Sequence, residues 1–246
     1  MAYDTSKLVT LGQAMTIAQR TREVSKEDIN DIDAAGIAYG DTTVGAALDD
    51  LLYEEIAISS FTNTVGTVEI GSTVDECTFK WTINKTPTTL TLGGDSIDVD
   101  LTSITLTEMG LTLTAAGSKS YSLVATDERE ASASKSTNIY FYNGVYCGVS
   151  SETEAENIDS AFILAMTKYL QNSKAKTFTV EPGEGEYIFY ALPTRLGTPT
   201  FYVGGFEGGF DLLATIDFTN ASGFTESYDV YKSTNANLGS TSVTVS

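Results

Sequence analysis

Apolar and polar residues alternate strictly from Cys77 to Ile83. Cys77, Phe79, Trp81 and Ile83 share one face, and Thr78, Lys80 and Thr82 the other. A two-residue period of this kind predicts a half-buried strand. Val68 and Ile70 repeat it, as do Tyr121, Leu123 and Ala125, and then Ile139 and Phe141. Gly71, Pro87, Gly93–Gly94, Gly110 and Gly117 fall between these runs and mark turns. About seven short strands within about 85 residues predict an immunoglobulin-like β-sandwich over residues 57–145. The antibody pattern is not complete, because Trp81 follows Cys77 too closely and no disulfide partner is placed across the sheets.

Residues 146–246 change period. Ile158, Phe162, Ala165, Met166 and Tyr169 recur at helical spacing after Ser151-Glu152-Thr153-Glu154, which fits a capping box. Glu152, Glu154 and Glu156 at the start, and Lys168, Lys174 and Lys176 at or beyond the end, suit the helix dipole. Strands are then expected at Thr177–Glu181, Glu186–Leu192, Thr200–Val203, Leu212–Thr219, Glu226–Tyr231 and Ser240–Val245. Gly204-Gly205 and Gly208-Gly209 bracket Phe206 and require a sharp turn or a close backbone approach. This second module reads as β-rich, of α+β type, with one helix. The two modules do not align as copies, and no solenoid period is present.

Residues 1–56 read differently again. Asp4 and Thr5 are candidate caps for a helix whose seam is Leu8, Leu11, Met15 and Ala18. Thr21 to Asp33 is polar, with Ser25 three before Asp28, and Gly36 and Gly40 punctuate. A second helix is expected from Asp41–Thr43, carrying Val44, Leu48 and Leu51 on one stripe that Leu52 widens. Helices this short are marginal alone. Their apolar stripe needs self-association (a trimeric bundle, for example), docking into a larger particle, or packing back onto the chain's own β-module. The fold class expected is therefore mostly β with a helical N-terminal segment, an Ig-like β-sandwich and a second β-rich module with one helix.

Charge narrows the partners. The chain of 246 residues has 33 acidic against 14 basic side chains, net −19. Nucleic acid and anionic membrane surfaces both demand clustered cations, so neither is an expected partner. Solubility through self-repulsion is the plain reading of such acidity, with a cationic partner or Ca²⁺ as the other outlet. No run of about 18 apolar residues is present to span a bilayer. Met1–Ser6 lacks a basic stretch followed by an apolar one, so no secretory signal is expected. Cys77 and Cys147 fit no zinc or CxxC spacing, and Cys77 falls on an inward strand position, so a buried thiol is expected.

Histidine is absent altogether. That removes Ser-His-Asp and Cys-His catalysis and histidine-ligated zinc. Carboxylate pairs remain as a route to sugar hydrolysis, with Asp211 and Asp217, or Glu184 and Glu186, as pairs that carry no cleft signature. Asp95, Asp98 and Asp100 after Gly93-Gly94 are a weak Ca²⁺ candidate without the EF-hand spacing, and a solvated turn explains them as well. Gly204–Gly209 lacks the following Lys-Ser/Thr of a phosphate loop. Tyrosines are the other lead. Tyr140, Phe141, Tyr142 and Tyr146 cluster where the modules meet, while Tyr187 and Tyr202 are candidate ligand-binding aromatics of the second module. Neither a catalytic residue nor a cofactor is expected.

Several stretches resemble tailed-bacteriophage virion structural proteins. They are Glu186–Pro193, Phe201–Phe206, Phe218–Glu226 and Val230–Ser233, which are similar to C-terminal units of fibre, tail and head-decoration proteins. Val65–Ile83 is similar to Ig-like inserts of such virions, and Met1–Leu8 with the acidic Asp41–Glu54 helix resembles their attaching leaders. The resemblance implies a non-enzymatic protein of the virion, assembled in the host cytoplasm. It also implies an anchor formed by Leu8, Leu11, Met15, Val44, Leu48 and Leu51, other virion proteins as partners, and a homo-oligomer. A carbohydrate- or receptor-binding adhesion module is the alternative, with a host-surface glycan as ligand, and a polysaccharide hydrolase a remote one.

Overall fold

The computed structural model describes residues 38–39 and 42–246, and the chain divides into two compact units, Met1–Glu55 and Ile56–Ser246. In the first unit β1 (Ala38–Tyr39) pairs antiparallel with β2 (Thr42–Thr43), which runs directly into helix α1 (Val44–Leu52). The helix forms where the Val44–Leu52 stripe predicts it. Leu51 and Leu52 at its end are exposed, at 78% and 76%. Leu8, Leu11 and Met15 lie outside the described residues, and so do the side chains of Val44 and Leu48.

The second unit begins with eight strands: β3 (Ile58–Asn63), β4 (Thr67–Glu69), β5 (Cys77–Ile83), β6 (Thr89–Leu92), β7 (Asp95–Ile97), β8 (Ser103–Leu106), β9 (Gly117–Thr126) and β10 (Ser132–Tyr142). They form a three-stranded sheet, β3-β5-β8, and a five-stranded sheet, β4-β10-β9-β6-β7. Every pairing is antiparallel except β4 with β10, so an early strand runs parallel to the last. This is an immunoglobulin-like arrangement. The alternation of β5 does what its sequence predicts. Cys77, Phe79 and Trp81 enter the core with Phe61, Leu90, Leu123, Ile139 and Phe141, while Lys80 and Thr82 face solvent. The indole Nε1–H of Trp81 donates to the Leu101 carbonyl at 2.9 Å, so its burial strands no donor.

The remainder comprises β11 (Gly144–Ser150), α2 (Ser160–Leu164), β12 (Thr167–Leu170), β13 (Lys176–Val180), β14 (Tyr187–Pro193), β15 (Phe201–Val203), β16 (Phe206–Glu207), β17 (Phe210–Thr219), β18 (Thr225–Ser233) and β19 (Thr241–Val245). A five-stranded sheet, β12-β11-β14-β18-β17, faces a four-stranded one, β13-β19-β15-β16. Between them lie Ile188, Tyr190, Leu192, Phe178, Phe201, Tyr231, Val243 and Val245. The other face of the five-stranded sheet is covered too. There Tyr146, Phe189, Ala191, Phe218, Tyr228 and Val230 meet Ile158 and Ile163. The fold is thus mostly β, an Ig-like sandwich followed by a β-rich α+β module.

One sequence expectation is corrected here. The helix forecast from Ser151 through Tyr169 shrinks to Ser160–Leu164 after a 3-10 turn at Ala155–Asn157. Its cap is Asp159, whose carboxylate accepts from the Phe162 N–H at 2.8 Å. Glu152 instead accepts the Thr153 and Glu154 N–H groups. Tyr169 and Lys168 lie on β12, opposite Val145 and Tyr146. Two glycines of β11 explain the switch. A Cβ on Gly148 would stand 2.8 Å from Met166 Cγ, and one on Gly144 would stand 2.8 Å from Lys168 Cγ. Close strand approach thus overrides the helical spacing of Ile158, Phe162, Met166 and Tyr169.

Candidate functional site

Where the two sandwiches meet, polar groups are buried rather than excluded. Strand β10 ends at Tyr142 and β11 starts at Gly144, so Asn143 is the whole connection. Asn143 is fully buried. Its amide donates to Glu226 Oε2 at 2.7 Å, and its carbonyl oxygen accepts from Asn220 Nδ2 at 2.9 Å. Asn220 Nδ2 also donates to the Ile70 carbonyl at 2.8 Å. Asn220 Oδ1 accepts from the Ser222 and Phe224 N–H groups, which shapes the loop between β17 and β18. That loop reaches the first sandwich: Phe224 packs against its core, and Ser222 bonds Ser72 at 2.8 Å. Gly71 (φ +91) makes the approach possible, since a Cβ there would stand 2.8 Å from Phe224 Cβ.

Charges at this junction are paired. Lys168 Nζ lies 3.0 Å from Glu69 Oε1, and Glu69 is nearly buried. Arg195 Nε bonds Glu226, and its Nη1 reaches Asn172 Oδ1. The Tyr228 hydroxyl donates to the Gly144 carbonyl at 2.5 Å. Burial pushes the Tyr146 hydroxyl well above the ordinary tyrosine range, and the neighbouring Glu69 charge pushes the same way. Tyr228 is raised further by burial. Among the described residues no buried side-chain nitrogen or oxygen lacks a partner. A network satisfied throughout rigidifies what it joins. Chemically it binds the two sandwiches as one body.

A cleft of about 440 Å³ opens beside Gly148–Ser150, the end of β11 that runs beyond its pairing with β12. Cys147, Gly148, Ser150, Phe162, Met166, Tyr169 and Glu181 are among its lining residues. Burial pushes the Cys147 thiol up to about 11, although Lys176 and Tyr169 oppose the shift. The thiol is therefore neutral near pH 7 and a poor nucleophile. Glu181 is the sole carboxylate lining the cleft. Both cysteines are buried and unbonded, as the spacing predicts.

The candidate residues from sequence scatter. Tyr187 packs beside Phe189 on the outer face of the five-stranded sheet, with Lys232 Nζ 3.9 Å above its ring. Tyr202 alternates with core residues Phe201 and Val203 and so points out of the opposite sheet, away from Tyr187. The two therefore stand on different sheets and face different ways. Asp95, Asp98 and Asp100 are exposed around the β6–β7 hairpin, where Asp98 accepts the Asp100 N–H at 3.0 Å. Among the described residues no group of three acidic, cysteine or histidine side chains is placed to hold a metal. Asp211 faces Lys232 and Asp217 faces Ser227, on either side of a bulge that separates them. Glu186 turns onto its own loop to accept the Gly183 N–H.

Sequence reasoning missed the junction residues Glu69, Asn143, Asn220 and Glu226. The only signal was Asn220-Ala221-Ser222-Gly223, legible as a turn but silent about what its asparagine reaches.

No family model matches the chain, and no curated protein does. Among solved structures, an alpha-L-rhamnosidase from Dictyoglumus thermophilum is 11% identical over 78% of this chain and 25% of that one, with a TM-score of 0.26. The N-terminal eight Ig domains of Down Syndrome Cell Adhesion Molecule isoform 1.30.30 are 11% identical over 76% and 25%, with a TM-score of 0.22. The chain spans about a quarter of either structure. Such distant likeness bears on neither activity nor partner.

Proposed function

We propose that the chain is a non-enzymatic structural component of a tailed-phage virion, held by its N-terminal segment and displaying the two β-modules as part of a head fibre, head decoration, tail or baseplate. The observation that carries this reading is the junction. Two sandwiches joined through one buried residue, with asparagine amides and ion pairs across the seam, suit a rigid display element. Exposed Leu51 and Leu52 on α1 add an apolar surface in the segment assigned to anchoring. The virion assignment itself rests on the resemblance of Glu186–Ser233 and the leader. Light scattering on the full chain is expected to show a homo-oligomer, with a trimer as one form, and deletion of residues 1–55 to abolish it. A monomer in both cases would remove the reading.

A receptor- or glycan-binding reading is favoured by one different observation. Tyr140 and Tyr142 stack at 5.5 Å on the outward side of β10, beside Ser118 and Thr67 on the adjoining strands. Half-exposed tyrosines among hydroxyls suit a sugar face. On a glycan array, binding that Tyr140→Ala abolishes would support it, and an array without signal would dismiss it.

A further inference from the structure

The second sandwich has two sides where sheet edges end, β12 with β13 and β16 with β17, and the second of these carries the more exposed apolar side chains. The chain leaves β15, turns through β16 at the edge of the four-stranded sheet, and crosses Gly208-Gly209 straight into β17 at the edge of the five-stranded sheet. Two sheet edges therefore lie side by side. Gly204, Gly205, Gly208 and Gly209 all have positive φ, which is what lets so short a connection turn twice. The edges carry apolar side chains. Phe206 is 82% exposed and faces Val203 in the ladder, and Leu212 is 53% exposed and faces Tyr231. Val203 and Tyr231 belong to the core between the sheets, so Phe206 and Leu212 extend that core's rim into solvent.

Edge strands are normally blunted by brevity, proline, charged side chains or bulges. Strand β17 has ten residues with neither proline nor lysine; its bulge between Leu212 and Ala214 leaves Ala214–Thr219 as a regular run, and its exposed charges are both acidic. Among the described residues its far end is closed, where the Thr219 N–H donates to Ser160 Oγ. The exposed charges along both edges are Glu207, Asp211 and Asp217. The nearby Lys232 sits opposite Asp211 and over the Tyr187 ring. A second copy of the chain would bring the same acids against these. Charge complementarity selects a cationic occupant instead.

We propose that this open side accepts an extended, cationic segment of another protein, which adds as a strand beside β17 and covers Phe206 and Leu212. The docking does not depend on whether the chain is a virion component. Affinity comes from backbone hydrogen bonds and selectivity from side chains on alternate positions.

The test uses the full chain and two synthetic peptides of about ten residues, one alternating lysine with valine and one alternating glutamate with valine. Fluorescence anisotropy is expected to show binding of the lysine peptide, weakened by salt, and none of the glutamate peptide. Amide exchange is expected to slow at Phe210–Asp217 when the peptide is bound. The pair Phe206→Ser with Leu212→Ser, and separately Glu207→Lys with Asp217→Lys, should each weaken binding roughly tenfold. Asp95→Lys with Asp100→Lys, exposed acids of the first sandwich, should leave it unchanged. Equal loss in that control, unchanged affinity in the edge variants, or no exchange protection along β17 would overturn the proposal. So would a dimer that dissociates on Phe206→Ser with Leu212→Ser, because the occupant would then be a second copy.

Discussion

The two sandwiches of the second unit solve the same burial problem in opposite ways. Strand β5 of the first buries every other residue, with Lys80 in solvent between Phe79 and Trp81. Strand β14 of the second buries six in succession, Ile188 through Pro193. The cause is layering. The first sandwich has one core between two sheets, whereas in the second the Ile158–Met166 segment covers the far face of the five-stranded sheet. A strand with protein on both sides has no outward face, so alternation no longer marks it. The cost is chemical. Tyr146, Tyr190 and Tyr228 are all fully buried there, and each hydroxyl has to find an acceptor: Glu69, the Lys174 carbonyl and the Gly144 carbonyl.

The largest effect should come from breaking that difference directly. Ile188→Ala and Phe189→Ala lie on adjacent residues and opposite faces, yet each should cost about 2–5 kcal/mol in urea denaturation. In β5, Phe79→Ala should cost about as much, but Lys80→Ala should stay within about 0.5 kcal/mol. A silent Phe189→Ala would mean that the far face is not a second core.

Alkali should separate the halves next. The buried tyrosines have pKa values raised above the ordinary 10.0, mainly by burial. Above about pH 10 the unfolded chain has lost those protons and the folded one still holds them. Stability is therefore full below pH 10 and falls as pH rises beyond it, by about 1.4 kcal/mol per pH unit for each such tyrosine. Tyr190→Phe should flatten the slope in a pH series of melting curves. A slope that Tyr190→Phe leaves intact would assign the effect elsewhere.

Weakening the seam is expected to cost less. Asn220→Ala strands the Asn143 oxygen and the Ile70 carbonyl, so about 1–3 kcal/mol should be lost. The more telling readout is cooperativity. One calorimetric transition should split into two as the sandwiches uncouple, and a single undivided transition would show that other contacts suffice.

Smallest of all should be the effect of probing Cys147. A neutral, buried thiol is expected to react with a disulfide reagent only as fast as the second sandwich opens. Tyr190→Phe should accelerate it, and immediate labelling of the native chain would contradict the burial that raises its pKa.

Legibility in the sequence follows the same division. The first sandwich was open to reading because Cys77–Ile83, Tyr121–Ala125 and Ile139–Phe141 alternate and glycines mark the turns between them. Six strands of the second, from Thr177 to Val245, were also legible, because hydroxyl- and glycine-rich punctuation bounds each of them. Strand β11 was not. Its Val145-Tyr146-Cys147 run is apolar on both faces and has no period to detect. The Ile158–Tyr169 helix was overcalled for the converse reason, since residues serving two different layers happen to fall at helical spacing. The burial of both cysteines as free thiols was legible from their spacing, while the faces on which Tyr187 and Tyr202 stand needed knowledge of which sheet each strand joins.

Local pattern, then, determined the class of this protein and most of its strands, because side-chain alternation and turn residues act over a few positions. Tertiary structure alone decided that Asn143, Asn220, Glu69 and Glu226 would meet, and that β16 and β17 would leave their edges open together. The buried polar contacts join residues some 80 to 150 positions apart, and the two edges are set by which strands pair in each sheet. Hydrogen bonds of that reach leave no trace in neighbouring sequence, since any asparagine in a turn looks the same until the fold places an acceptor beside it.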